Sequence, residues 1–488
     1  VIYVTNSDKL VLSPAEIKEK NLDLNDLAVL DSFVLSKTDY TKGLVKSIIF
    51  SLVAVFIFFV PVEFNGKADM VFGIMYGKMM QITGSLGLWT VTLIVLATSI
   101  LSCYGKYIAK SGKIHDYFDG DSIIHPVLYL LGGFFVLSYT LNTTMALDMP
   151  EIIVGSATGG TIVPSIVVAV FWIILVSSVT MPFLLNYGIV DFVGSLLESL
   201  MRPVWKVPGR AAINAIASFV SSSSVGVLIT SKLYKQGVYT EKEAVLVVTG
   251  FSAVSVGFAY MVIETAGLAD RFLMVYFSSL LLTLIVSAFI ARIPPFNLKK
   301  DIYINGRVQT KEDIINTRPK GNIIGTGAAR AAKKALTAPN LGSEILVSLK
   351  DGFEVIPKVL SLLAAVGVSS LIIAETTPVF IILGKIFEPL LNILQVPDAE
   401  MIAPSFPVGI AEMFLPVLLI KNNIALIDAE ARYLVVVVSI VQIIFFSETV
   451  VVMMSSKLPL KLWELVVAFF ERTFLAIIFG SVFMHIFY

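Results

Sequence analysis

SFPVGIAEMFLPVLLIKNNIALIDAEARYLVVVVSIVQIIF, residues Ser405–Phe445, repeats without a gap the order of features in SFVSSSSVGVLITSKLYKQGVYTEKEAVLVVTGFSAVSVGF, residues Ser218–Phe258. Nine of the 41 paired positions are identical, among them Ser218/Ser405, Glu243/Glu430, Ser252/Ser439 and Phe258/Phe445. Apolar sequences match cheaply, so the order of features carries more than the identity. Each copy has a short apolar segment interrupted by Ser, Gly or Pro, then a polar turn ending in an acidic helix start, then a full-length apolar run. Paired, interrupted apolar segments in two halves of a membrane protein point to a transporter binding site.

Around these copies the 488-residue chain is 56% hydrophobic and 15% charged. A soluble chain would carry about 25% charged residues. Several apolar runs reach the roughly 20 residues needed to cross a bilayer. The expected fold is therefore all-α. It is a polytopic membrane protein with about nine transmembrane helices, two interfacial helices and two re-entrant helical hairpins in inverted repeats. Formal net charge is zero, which gives no case for nucleic acid. The lone Cys103 permits no internal disulfide, and His115, His125 and His485 show no metal-ligand spacing. No metal and no cofactor is expected. Residues 1–40 are polar and mixed in charge, unlike a cleavable signal peptide, so the first apolar run is expected to act as an uncleaved anchor.

Apolar spans fall at 46–62, 86–103, 126–142, 161–186, 243–264, 272–291, 354–376, 432–454 and 462–486. Residues 66–84 read as interfacial or half-buried. Segments 211–234 and 401–420 are too short to cross and return as ordinary helices. Each breaks near its centre, at Ser221-Ser222-Ser223-Ser224 and at Pro407-Val408-Gly409. Such backbone survives at membrane depth only where protein or a water-filled cavity satisfies its free polar groups. The charged amphipathic stretches 191–205 and 384–395 suit helices lying in the interface.

Lys and Arg collect on the cytoplasmic side of membrane proteins. Loop 292–350 holds eleven of them, whereas 143–160 holds none. This pattern places the N-terminus inside, the C-terminus outside, and the two hairpins on entry from opposite faces of a plasma (bacterial inner) membrane. The domains read as a polar cytoplasmic cap (1–45), scaffold helices (46–160), a first transport repeat (161–291), a basic cytoplasmic linker (292–350) and a second transport repeat (351–488). The linker reads as a solvated connector.

Glu412 is the foremost chemical candidate. A carboxyl at membrane depth is costly and usually faces a cavity, and here it follows the helix-breaking Pro407 and Gly409. It suits substrate hydrogen bonding or proton coupling. Ser221, Ser222, Ser223 and Ser224 form the tip of the other hairpin, with Asn214 and Ser218 on the same segment and Ser405 paired to Ser218. Ser252, Ser255, Gln442 and Ser447 could line the cavity between them, and Glu448 is a second candidate for ion coupling. Glu471 and Arg472, inside the last span, read as partners for each other or for a neighbouring helix. The chain contains no GxxxxGK[ST], HExxH or GxSxG signature, so an enzyme is not expected.

The segments SFVSSSSVGVLITSKLY and APSFPVGIAEMFLPVLL resemble the two gate motifs of the nucleoside-recognition (Gate) domain membrane proteins. Across roughly 46–488 the span order resembles the YjiH group of that superfamily, which is related to concentrative nucleoside transporters and FeoB-type permeases. The resemblance implies paired hairpins around a midplane site. It also implies that Glu412 matches the hairpin carboxylate that contacts the sugar in nucleoside carriers, with the serine run as its hydroxyl-rich counterpart.

The functional expectation is a secondary active transporter. It would move a small polar organic solute, nucleoside-like or amino-acid-like, by alternating access with proton or sodium coupling, and protonation of Glu412 is the preferred coupling event. The alternatives are a non-transporting membrane scaffold or signalling protein, and an ion channel or permease. Expected partners are the small-molecule substrate, the coupling ion, membrane lipid and further copies of the chain in a homo-oligomer.

Overall fold

The protein is described from a computed structural model. The structure describes every residue except 1–9, 21, 23, 26, 65, 66, 120, 122, 221, 222, 252–255, 320 and 422. The chain folds into two compact units. The first comprises Val1–Gly73, Val176–Ser252 and Ser287–Asp351, and the second Ile74–Leu175, Ala253–Val286 and Gly352–Tyr488. Helices dominate both. Strands among the described residues make only two small ribbons, Leu10–Val11 with Phe33–Val34 and Pro61–Phe64 with Lys67–Met70.

Seven described helices are long and apolar enough to cross a membrane: Lys37–Phe59, Val71–Ile108, His125–Met145, Glu151–Leu185, Ala269–Ile290, Leu341–Thr376 and Leu462–Phe487. They coincide with seven of the expected spans. Many carry large exposed apolar side chains, such as Leu52, Phe56, Leu86 and Phe277, as lipid-facing surfaces do. The segment 66–84 holds the second strand of a ribbon and the start of a long helix, kinked at Gly84, where φ is 43°.

Of the two remaining spans, the run 243–264 holds the helices Glu241–Phe251 and Val256–Thr265, with residues 252–255 between them outside the described residues. The run 432–454 is split between Ala429–Gln442 and Thr449–Ser455. Here Ile443 takes a left-handed conformation (φ 47°), and residues 443–448 form no helix. A left-handed β-branched residue is strained by about 1–3 kcal/mol, and the surrounding bonds must hold it. Thr449 does so locally: its hydroxyl donates to the Ile443 carbonyl (2.9 Å) and accepts from the Phe445 N–H (2.9 Å).

In the first unit, the segment read as a solvated connector contains a docked helix, Ile323–Thr337. Asn322 caps it by accepting from the N–H groups of Ile324 and Gly325. Its small residues allow close packing: a β-carbon on Gly43 would lie 2.3 Å from the Ala332 carbonyl oxygen, so only glycine fits there. Arg330, 1% exposed, donates to Asp31 and to the Ser195 hydroxyl. Lys333 donates to the carbonyls of Leu30 and Phe33. Arg330 and Lys333 thus hold Leu30, Asp31 and Phe33 rather than facing solvent.

The amphipathic helix Ile189–Trp205 is also turned the other way from a helix with a solvated charged face. Its buried residues include Asp191, Glu198 and Arg202, while Leu200 is exposed. Arg202 pairs with Glu198 and Glu243, and Arg210 pairs with Asp191. Burial works against the Arg202 charge, but Glu243 and Glu198 outweigh it and hold the guanidinium charged above its ordinary value.

Candidate functional site

The second hairpin and the broken helix beside it build the candidate site, all within the second unit. The helix Ser405–Val408 ends at Pro407-Val408-Gly409, the chain crosses a non-helical tip, and the helix Leu415–Lys421 leads out. The tip rests on the interruption in the neighbouring helix. The N–H of Phe446 donates to the Ile410 carbonyl (2.7 Å), and that of Ser447 donates to the Ala411 carbonyl (3.0 Å). Backbone groups released by the two breaks therefore satisfy each other, which is what irregular backbone at membrane depth requires.

Side chains lock the same contact. The Gln442 amide donates to the Phe406 carbonyl (2.7 Å) and to Thr473 Oγ1 (3.0 Å). Ser439 donates to the Met413 carbonyl. Arg472, fully buried on Leu462–Phe487, donates from Nε (3.0 Å) and Nη2 (2.7 Å) to the Val441 carbonyl. It caps the carbonyl end of Ala429–Gln442, where the helix dipole favours a cation. Sequence reasoning gave Arg472 no place in the site. The available signal was an arginine in the middle of an apolar span, since such residues face a protein interior.

Glu412 stands in the tip, 7% exposed, with its carboxylate accepting from the Phe414 N–H (2.5 Å). It interacts electrostatically with Glu448, which ends the broken segment and is half-buried. On the same two elements, Ser405 Oγ, Gln442 Oε1 and Ser447 Oγ are buried and have no protein partner. A buried polar atom without a partner costs about 1–3 kcal/mol, so three on these two touching elements call for an explanation. A polar ligand supplies one: two carboxylates accept its donors, the hydroxyls both donate and accept, and the amide oxygen accepts. Ser405, Gly409, Glu412, Gln442, Ser447 and Glu448 thus lie on two elements in direct contact.

The first hairpin, in the first unit, is formed by Ala211–Val220 and Ser223–Lys235. Ser223 and Ser224 are buried, and Ser218 has a buried hydroxyl without a protein partner. Asn214 is committed elsewhere: its amide donates to Thr230 Oγ1 (2.8 Å), tying the two legs together. Ser221, Ser222, Ser252 and Ser255 lie outside the described residues. Among the described residues no group of three or more His, Cys, Asp or Glu side chains is placed to hold a metal ion.

Residues 167–269 match the family described as Gate, nucleoside recognition. An uncharacterized protein of Alkalihalophilus pseudofirmus is 31% identical over 468 residues, covering 94% of this chain and 98% of that protein. The sporulation integral membrane protein YlbJ of Bacillus subtilis is 36% identical over 61 residues, 12% of this chain and 15% of YlbJ. A solved structure of a CNTnw double variant in an outward-facing state aligns over 92% of this chain and all of that one. Its TM-score is 0.42 and its identity 13%.

Proposed function

The chain belongs to the Gate (nucleoside-recognition) family of membrane proteins, and from that premise we propose that it is a secondary active transporter of a small polar organic solute. The solute is nucleoside-like or amino-acid-like, and a proton or sodium gradient drives its movement. The protein is a multi-pass membrane protein. We place it in the plasma membrane with the N-terminus cytoplasmic and the C-terminus outside, as the distribution of Lys and Arg among its loops supports. The segments 161–291 and 351–488 are proposed as the transport repeats.

The observation that carries this reading is the contact between the hairpin tip and the broken helix. It gathers Glu412, Glu448 and three unpartnered buried oxygens within the apolar part of the chain. In the proposed mechanism, solute hydroxyl or amide groups bond to Glu412, Gln442 Oε1, Ser405 and Ser447. A proton on Glu412, or a sodium ion beside Glu412 and Glu448, offsets the repulsion between the carboxylates and couples solute entry to the ion. The non-helical segments at 409–414 and 443–448 are the elements proposed to open, because they hold few regular helical bonds.

The test is uptake into proteoliposomes under an imposed proton or sodium gradient, comparing wild type with Glu412→Gln. Wild type is expected to accumulate solute and the variant to lose gradient-driven accumulation. Normal transport by Glu412→Gln with its ion dependence intact would overturn the role given to Glu412.

A further inference from the structure

We propose that residues 300–309 of the linker form a strap that restrains the first re-entrant hairpin through a buried chain of hydrogen bonds and ion pairs. All of its links lie in the first unit. The strap is a small antiparallel turn. Ile302 bridges to Val308, and the Tyr303 N–H donates to the Arg307 carbonyl (2.9 Å). Gly306 takes the positive φ of 83° at its tip, a conformation that favours glycine.

The inner edge of the strap closes on the start of Glu241–Phe251. The N–H groups of Glu241 and Lys242 donate to the carbonyls of Ile302 (2.9 Å) and Lys300 (3.1 Å). A helix leaves its first N–H groups without internal partners, and here the linker backbone supplies the acceptors. The Gln309 amide then reaches inward. It donates to the Tyr303 hydroxyl (2.9 Å) and to Glu243 Oε1 (3.1 Å).

Glu243 passes the restraint on. It pairs with Arg202, Arg202 pairs with Glu198 (3.0 Å), and Glu198 Oε2 accepts the Gly209 N–H (2.6 Å). Gly209 stands just before Ala211–Val220, the first leg of the hairpin. It has no room to shift towards its neighbour, since a β-carbon there would lie 2.0 Å from the Gly194 carbonyl oxygen. Glu198, Arg202 and Glu243 are all buried. Charges so placed are held by their partners, and removing one partner is felt by the rest. The turn at residues 304–308 is exposed. Buried polar groups thus connect a surface loop to the base of the first hairpin. This inference does not rest on the transport reading, and where that reading holds the strap sets how readily the first hairpin opens.

The experiment is hydrogen–deuterium exchange of the full chain in detergent, read by mass spectrometry. Losing a hydrogen bond to a charged group shifts an opening equilibrium by about tenfold. Gln309→Ala should therefore raise exchange within 209–220 by about tenfold and leave 462–487, in the other unit, at the wild-type rate. Gln309→Glu, which sets a second carboxylate against Glu243, should raise it further. Exposed Lys311→Gln, on the same linker, should change nothing. In a Glu198→Gln background, where the Gly209 link is already weakened, Gln309→Ala should add little. Unchanged exchange at 209–220 in Gln309→Ala and Gln309→Glu would overturn the proposal. An equal rise at 462–487 would also overturn it, because the loosening would then be general. So would full additivity with Glu198→Gln, because the restraint would then not run through Glu198.

Discussion

Gln442 Oε1 lies against Gly409 so closely that a β-carbon built on the glycine would be 1.9 Å from it. The glycine is thus needed for reasons of space rather than of backbone conformation, since its φ is −56°. It lets the hairpin tip and the end of Ala429–Gln442 meet. Gly409→Ala is expected to displace the Gln442 amide, break its bonds to Phe406 and Thr473, and cost about 1–3 kcal/mol. In a Gln442→Ala background the same change should cost less, giving a coupling of about 0.5–3 kcal/mol in a double-mutant cycle. Additive losses of thermal stability in detergent would show that the two residues do not meet.

Arg472 tests how the broken helix is held. Arg472→Met leaves the Val441 carbonyl without its two N–H donors, which should cost about 1–3 kcal/mol. Lysine can restore a charge and a donor but not the two-pronged geometry. Unfolding midpoints should therefore rank wild type above Arg472→Lys, and Arg472→Lys above Arg472→Met. A midpoint unchanged in Arg472→Met would mean that the arginine does not support the break.

The docked helix Ile323–Thr337 carries a separate prediction. Arg330→Ala removes the clamp on Asp31 and Ser195. The Asp31 side chain is 29% exposed, so water takes up part of its charge and the loss should be about 1–2 kcal/mol. Limited proteolysis within residues 10–35 should then be roughly tenfold faster, because cleavage follows the population of the opened segment. Cleavage at the wild-type rate would show that the N-terminal segment is held by other contacts.

The hairpins were legible because Pro407, Gly409 and the serine run interrupt apolar sequence, and because Glu412 is conspicuous there. The interruption after Gln442 was not, because Ile443, Ile444 and Phe445 keep hydropathy high where the backbone leaves the helix. Hydropathy reads the solvent around a segment, not its hydrogen bonds. The polar residues Ser439, Gln442, Ser447 and Glu448 in one apolar run were the remaining signal. The docked helix was hidden for the opposite reason: Arg330, Lys333 and Lys334 suggest solvent exposure. Arg330 and Lys333 are buried and Lys334 half-buried because Leu24, Asn25, Leu30, Asp31 and Phe33 receive them.

The most direct test of the proposed site is a thermal-stability screen of wild type and Glu412→Gln. The ligands would be nucleosides, nucleobases, amino acids and small organic ions. A ligand at 100 times its Kd stabilises by about 2.7 kcal/mol, a readily detected shift. The account predicts that at least one solute class stabilises wild type and that the shift is lost in Glu412→Gln. A solute that stabilises both proteins equally would contradict the placement of the site at Glu412. No shift with any solute, in well-folded protein, would contradict the transport reading itself.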